Sequence, residues 1–238
     1  MTSKIAYMAN PVRCAFASMR AGELGMIVTP RQGNRLPVGV KWCADNGCGP
    51  TRTGPVGSAY PGDDAFLAFL DKLSDRAADC RFAVAPDVLG DAGATLARSL
   101  PMLPKIRAMG YKAALVAQDG LENIMDEIPW DAFDALFIGG STEWKMGPGA
   151  ARLVREAKAH GKWVHFGRVN SRKRLMYASE LGCDSADGTY LVYGPTVNLP
   201  KLLGWLDEIG ATHTIKCGSC RGRHETPARV RSCYAEAA

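Results

Sequence analysis

Two carboxylates, Asp184 and Asp187, lie three residues apart in the stretch Leu181-Gly182-Cys183-Asp184-Ser185-Ala186-Asp187-Gly188-Thr189. The segment before it, Ser171 to Leu181, spaces Leu175, Met176, Ala178 and Leu181 along one face of a helix, so the chain leaves a helix at Gly182 and enters a short strand. A carboxylate just past such a strand faces a rim, where Asp187 is placed to act as a nucleophile. An isolated Asp-Gly pair is more commonly a turn; the company these acids keep decides the matter. Asp45 follows the apolar run Val38 to Cys43 in the turn Asp45-Asn46-Gly47, and Asp87 closes Arg81 to Asp87. Gln118 follows Ala113 to Ala117, Gly139-Gly140 follow Ala135 to Ile138, and Arg168 follows Trp163 to Phe166. Brought together, several carboxylates, an amide and exposed backbone suit the donor-rich edge of a purine-like base, because ionised acids accept hydrogen bonds from ring and exocyclic N–H groups. Paired glycines would also let the backbone approach a flat ligand closely.

The elements that must position these groups follow from periodicity. Ile5 to Ala9 and Met26 to Thr29 join the runs above to give roughly eight short strands. Helices are predicted over Val12 to Arg20, from Asp63-Asp64 onward with Phe66, Leu67, Phe69, Leu70 and Leu73 as the apolar face, over Ala92 to Met109 with breaks near Pro101 and Pro104, and over Gly149 to His160. Strands alternating with helices predict an α/β fold, a (βα)8 TIM-type barrel, with a doubly wound open sheet as the alternative. Residues 1–210 would form the barrel, and 211–238 a basic Cys/His tail. Pro50 to Gly62, rich in Gly, Pro and Ser, predicts a surface loop or lid.

A chain of 238 residues with 47 % hydrophobic content buries a sizeable core as one large domain. No uninterrupted apolar run is long enough for a membrane span or signal peptide, and eight cysteines are too sparse for a disulfide scaffold, which together predict a cytoplasmic protein with reduced thiols or bound metal. Cys43 and Cys48 flank Asp45 and are candidate pocket thiols. The net charge of +5 is modest, but basic residues gather at Arg168 to Arg174 and Lys216 to Arg231. Such runs suit a polyanion, although a basic run is often only a solvated face. Arg168, Arg172, Lys173, Arg174 and Lys145 are the candidate phosphate contacts, and Trp144 either stacks on a base or packs beneath the following helix. In the tail, Cys217, Cys220, His224 and Cys233 form a possible tetrahedral zinc set, in which His213 could substitute. A free-thiol knuckle or a disordered basic tail are the other readings. No organic cofactor is expected.

In order along the chain, Asp-Asn-Gly, Pro-Asp, Gln-Asp-Gly, Phe-Ile-Gly-Gly and Gly-Cys-Asp-Ser-Ala-Asp-Gly resemble motifs of the tRNA-guanine transglycosylases. The sequence is more similar still to their phage relatives, which exchange guanine in DNA for a 7-deazaguanine. The resemblance covers about Met26 to Tyr193. It implies that Asp187 is the nucleophile of a covalent glycosyl-enzyme, that Asp184 is a supporting or structural acid, and that Asp45 handles protons on the base. It also implies that Asp87 and Gln118 recognise the base and that Gly139-Gly140 contact it through the backbone. DNA would be the polymeric partner, with tRNA the alternative, and free guanine and a 7-deazaguanine base the small ones; for a phage-encoded chain the compartment would be host cytoplasm. The family also carries a structural zinc held by three Cys and one His, at a spacing closer than that of Cys217, Cys220, His224 and Cys233. Two other readings stand beside it: a barrel glycoside hydrolase using Asp187 and a second carboxylate, and a catalytically inactive barrel that binds a modified base or nucleic acid.

Overall fold

Eight short strands run in one direction and close on themselves in sequence order. They are β1 (Ala6–Ala9), β2 (Gly25–Val28), β3 (Trp42–Ala44), β4 (Cys80–Val84), β5 (Ala113–Ala117), β6 (Ala135–Ile138), β7 (Trp163–Phe166) and β8 (Ser185–Gly188). This architecture comes from a computed structural model that describes residues 5–32, 35–49, 60–212, 215–216 and 223–224. Closure is made by β8 against β1, with Ala6 opposite Ser185 and Ala9 opposite Gly188, which rules out the open sheet and establishes a TIM barrel. Helices α1 (Phe16–Arg20), α2 (Asp63–Asp71), α3 (Ala92–Ser99), α4 (Leu103–Ala108), α5 (Thr142–Lys145), α6 (Pro148–Ala159), α7 (Arg172–Glu180) and α8 (Pro195–Thr212) lie between and after the strands.

Alternation along each strand divides the core in two. One set of side chains, among them Met8, Ile27, Cys43, Phe82, Val116 and Phe137, fills the barrel interior. The intervening residues, such as Tyr7, Met26, Leu115, Leu136, Val164 and Ala186, meet Phe66, Leu103, Leu153 and Leu175 from the helices in a second, larger core. Several helices begin at side-chain caps: Asp91 Oδ1 accepts from Ala94 N at 2.9 Å before α3, and Ser171 Oγ from Arg174 N at 3.4 Å before α7. The prolines near residues 101 and 104 do divide the predicted helix, leaving α3 and α4, with Pro104 in the first turn of α4 where its missing N–H costs nothing.

Two expectations are corrected. The strand predicted over Val38 to Cys43 begins only at Trp42, because Gly39 has φ 79°, in the left-handed region, and the turn it makes leaves Val38 88 % exposed. The eighteen-residue α8 is not among the predicted helices; it accommodates Pro200 and buries Leu202, Leu206 and Ile209. Beyond it, β9 (Ile215–Lys216) and β10 (Arg223–His224) pair as a short antiparallel ladder. Cys217, Cys220, Cys233, His213 and the side chain of His224 lie outside the described residues, and so therefore does the expected zinc set. The same holds for residues 50–59 of the expected lid. Among the described residues no helix is long and apolar enough to cross a membrane, and no cluster of three or more acids, histidines and cysteines is placed to hold a metal.

Candidate active site

Strand ends that looked unrelated in sequence open onto one cavity of about 120 Å³ at the C-terminal mouth of the barrel. Asp45 after β3, Asp87 after β4, Gln118 after β5, Gly139 after β6, Arg168 after β7 and Asp187 within β8 all line it, with Val84, Val116 and Phe137 as apolar wall. A cavity of roughly 150 Å³ holds a single aromatic ring, so this one is on the scale of a planar heterocycle. Cys43 and Cys48 do not line it; Cys43 belongs to the barrel interior, which corrects the expectation of pocket thiols.

Asp87 is nearly buried and is held by two amides. Asn46 Nδ2 donates to its Oδ1 at 2.9 Å, and Gln118 Nε2 to its Oδ2 at 2.5 Å, while Gln118 Oε1 accepts from Gly90 N at 3.0 Å. Burial pushes the Asp87 carboxyl up, and these amide hydrogen bonds oppose that rise. Asn46, absent from the sequence-based candidates, also ties its Nδ2 to Ala85 O and its Oδ1 to Cys48 N, fixing the loop after β3. Its signal was the turn sequence itself, read there only as a carrier for Asp45.

Asp45 sits on that loop with Gly47 N donating to Oδ1 at 2.6 Å. Burial pushes its carboxyl up to about 7; the Gly47 N–H opposes the rise, and the neighbouring Asp187 and Asp87 carboxylates add to it. A carboxyl poised near neutrality can donate a proton in one step and recover it in the next.

Asp187 is 16 % exposed and is met from two sides. Its Oδ1 lies 3.0 Å from His165 Nε2 and 3.3 Å from Arg168 N. His165, fully buried on β7, lies with Nδ1 2.8 Å from Ser185 Oγ, which in turn accepts from Trp163 Nε1 at 2.7 Å. His165 was missed in the sequence. The available signal was a period of two: Trp163 and His165 on β7, Ser185 and Asp187 on β8, alternate residues of adjacent strands that share the inner face. Asp184 belongs elsewhere. It pairs with Lys158 at 2.8 Å and accepts from Val164 N at 2.7 Å, a supporting position away from the cavity lining.

The paired glycines are required by their own neighbours rather than by an open approach. A Cβ on Gly140 would stand 2.2 Å from Trp144 Cε3, and one on Gly139 2.6 Å from Val116 Cγ1. Their carbonyls already accept from the Arg168 guanidinium, at 2.5 Å for Gly139 and more closely for Gly140, and both amides donate to Ala117 O. Arg168 therefore takes one acceptor position on each carbonyl and would share with a ligand any backbone contact made there. Arg168 is also the one non-glycine residue with positive φ among the described residues, at 58°. Such backbone strain concentrates at functional sites.

Lys145 is corrected outright. It is fully buried, donating from Nζ to Gly167 O at 2.6 Å with the Phe166 ring alongside, because the short helix α5 turns it inward beneath the loop after β7. Burial, with the Arg168 and Arg174 charges, pushes its ammonium down to about 7. It has no access to a phosphate. Trp144 packs: its Nε1 donates to Glu122 at 2.8 Å and its ring covers Gly140. On α7, Arg172 is engaged by Glu208 of α8, Arg174 reaches Arg168 O at 3.3 Å, and Lys173 is exposed. As a test of the expected phosphate contacts, charge reversal Lys173→Glu would weaken any binding to a polyanion and flatten the plot of log affinity against log salt by about one. Lys145→Met should leave that slope alone. Equal slopes for the unaltered chain and Lys173→Glu would make this face a solvated one.

Fold and mouth together define a TIM barrel whose strand ends gather acids and amides into a small cavity. No family model and no curated protein sequence matches the chain. Among solved structures it is similar to a mutant tryptophan synthase alpha-subunit from the hyperthermophile Pyrococcus furiosus, with TM-score 0.52 and 13 % identity over 87 % of this chain and 97 % of that one. It is also similar to the tryptophan synthase α2β2 complex of the same organism, with TM-score 0.51 and 13 % identity over 88 % and 98 %. The HpcH/HpaI aldolase from Desulfitobacterium hafniense DCB-2 aligns with TM-score 0.50 and 13 % identity over 87 % and 93 %. Likeness at this identity establishes the barrel fold and nothing finer.

Proposed function

We propose that this chain is an enzyme, a pentosyltransferase that exchanges guanine in nucleic acid, DNA in preference to tRNA, for a 7-deazaguanine base. The observation that carries the reading is that Asp187, Asp45, Asp87 and Gln118, from four different strand ends, line a single ring-sized cavity. The order of motifs that resembles the guanine transglycosylases falls on those same strand ends, and the nearer resemblance to their DNA-acting phage branch is the ground for preferring DNA.

In this mechanism the target nucleotide leaves the base stack to reach the mouth. Asp187 attacks C1′ of the sugar, the bond from C1′ to the base nitrogen breaks with its electron pair going to guanine, and the departing guanine takes a proton from Asp45. Asp45, held near neutrality by burial and by the acids around it, is suited to that donation. After guanine leaves, the incoming base gives a ring proton back to Asp45, attacks C1′ and expels Asp187. One hard substitution thus becomes two easier ones, with retained configuration and an oxocarbenium-like transition state. Asp87 keeps acceptor capacity beyond its two amide partners and lies against the cavity, where N–H groups of the base would meet it. A glycoside hydrolase would want aromatic faces for a sugar, and Phe137 is the one aromatic residue among the described lining residues.

The test is incorporation of labelled guanine and of a labelled 7-deazaguanine into DNA and into unmodified tRNA, run side by side with the full chain. Uptake into DNA supports the reading as stated. Uptake into tRNA alone keeps the chemistry and overturns the choice of polymer. Uptake into neither overturns base exchange.

A further inference from the structure

Trp163, Ser185, His165 and Asp187 form a chain of hydrogen bonds whose direction is set at its carboxylate end. An indole N–H can only donate, so Ser185 Oγ accepts from Trp163 at 2.7 Å and keeps its own hydrogen and a second lone pair for His165 Nδ1, 2.8 Å away. An ionised carboxylate can only accept, which puts the ring proton on Nε2 and leaves Nδ1 to accept from the Ser185 hydroxyl. Nε2 stands 3.0 Å from Asp187 Oδ1. The other neutral tautomer would aim a lone pair of Nε2 at a carboxylate oxygen. The ring has little freedom to turn: Phe137 lies 4.5 Å and Phe82 5.1 Å from it, centroid to centroid, and His165 is fully buried.

We infer that His165 is a positioning residue for Asp187: through Nε2–H it holds Oδ1, together with Arg168 N, and so reserves Oδ2 as the oxygen that attacks C1′. Oδ2 carries no hydrogen bond among the described residues, whereas Oδ1 carries both. Two donors on one oxygen fix the carboxylate plane and direct the other oxygen's lone pairs, the pre-organisation a nucleophile needs. The inference rests on the base-exchange reading for the word nucleophile, but the tautomer and the held oxygen stand on geometry alone.

Two measurements on the full chain test it. With 15N-labelled histidine, the nitrogen spectrum is expected to show His165 as the Nε2–H tautomer, which Ser185→Ala should keep, because the Asp187 carboxylate still accepts from Nε2, and which Asp187→Ala should release. The Nδ1–H tautomer in the unaltered chain overturns the inference. In the base-exchange assay, His165→Phe preserves the aromatic packing and removes both nitrogens. It is expected to lower kcat roughly 10- to 100-fold, as loss of an orienting partner commonly does, with KM for the free base unchanged. Ser185→Ala should lower kcat less, and Ser185→Thr should restore it, which a merely structural role for the hydroxyl-to-imidazole contact would not produce. Should His165→Phe fail to fold, the Ser185 pair and the spectrum decide. If Asp187→Asn is inactive while folded His165→Phe turns over at the normal rate, the positioning role falls and the base-exchange reading survives. If neither polymer takes up base, that reading falls and the tautomer alone decides the inference.

Discussion

Asp187→Asn is expected to abolish the proposed base exchange while the barrel stays folded: a loss of roughly 10⁴-fold or more in kcat, the scale seen when a covalent nucleophile is removed. The variant is nearly isosteric. Its amide oxygen can still accept from His165 Nε2 and from Arg168 N, the two partners of Oδ1, so the closure of β8 against β1 has no reason to change. What disappears is the second oxygen, replaced by an amide nitrogen whose lone pair is delocalised and cannot attack C1′. The check is twofold: single-turnover incorporation of labelled base, and a denaturing gel on which the unaltered chain carries a covalent adduct to DNA and the variant does not. Exchange at an unaltered rate in Asp187→Asn would remove this carboxylate from the nucleophile role.

Asp45→Asn should gain stability above neutral pH while losing activity. The folded chain holds this carboxyl at about 7 against an ordinary value of 3.8. Between those two values the unfolded chain releases a proton that the folded chain keeps, so the folded state binds more protons and stability falls as pH rises, with the loss complete above about 7. A displacement of that size corresponds to on the order of 4 kcal/mol, and water reaching the open cavity reduces what is realised to about 1 to 3 kcal/mol. Asn has no charge to develop and its amide oxygen can keep the contact from Gly47 N. Urea unfolding should therefore find Asp45→Asn equal to the unaltered chain near pH 4 and more stable at pH 8. A gain of the same size at both pH values would show that ionisation of Asp45 is not its source. In exchange assays the variant should lose about 10² to 10⁴ in kcat, the range of a general acid or base.

Much of the barrel is written locally. Short apolar runs ended by turn residues mark where strands stop, and in a parallel barrel the residue after each stop faces the mouth whatever the register. Asp45, Asp87 and Gln118 were legible for that reason, whereas Asp187, expected just past its strand, lies inside β8. Residues whose placement depends on pairing between distant segments were not. His165 sits inside an apolar-looking strand, and its value emerges only when β7 and β8 set His165 beside Ser185. Lys145 follows Gly139-Gly140 closely enough to read as part of the mouth, but Ser141 caps a single helical turn that rotates it into the core. Arg168 was placed correctly at the rim, although sequence could not show that its guanidinium would settle on the carbonyls of Gly139 and Gly140. Val38 failed for a purely local reason, the left-handed Gly39 beside it.

Trp163 stands at the beginning of β7, the far end of the line that runs through Ser185 and His165 to Asp187. An indole nitrogen has no lone pair with which to take up a proton. With its hydrogen on Nε2, His165 has no lone pair to offer Asp187, and the indole at the other end has none to offer Ser185, so the line can hold a charge in place but cannot conduct a proton to the opposite face of the barrel. The interior is thus insulating in this direction. In the proposed exchange, protons passing to and from Asp45 would then use the opening that the ligand uses, so a base seated there would seal the site's acid from solvent as it bound.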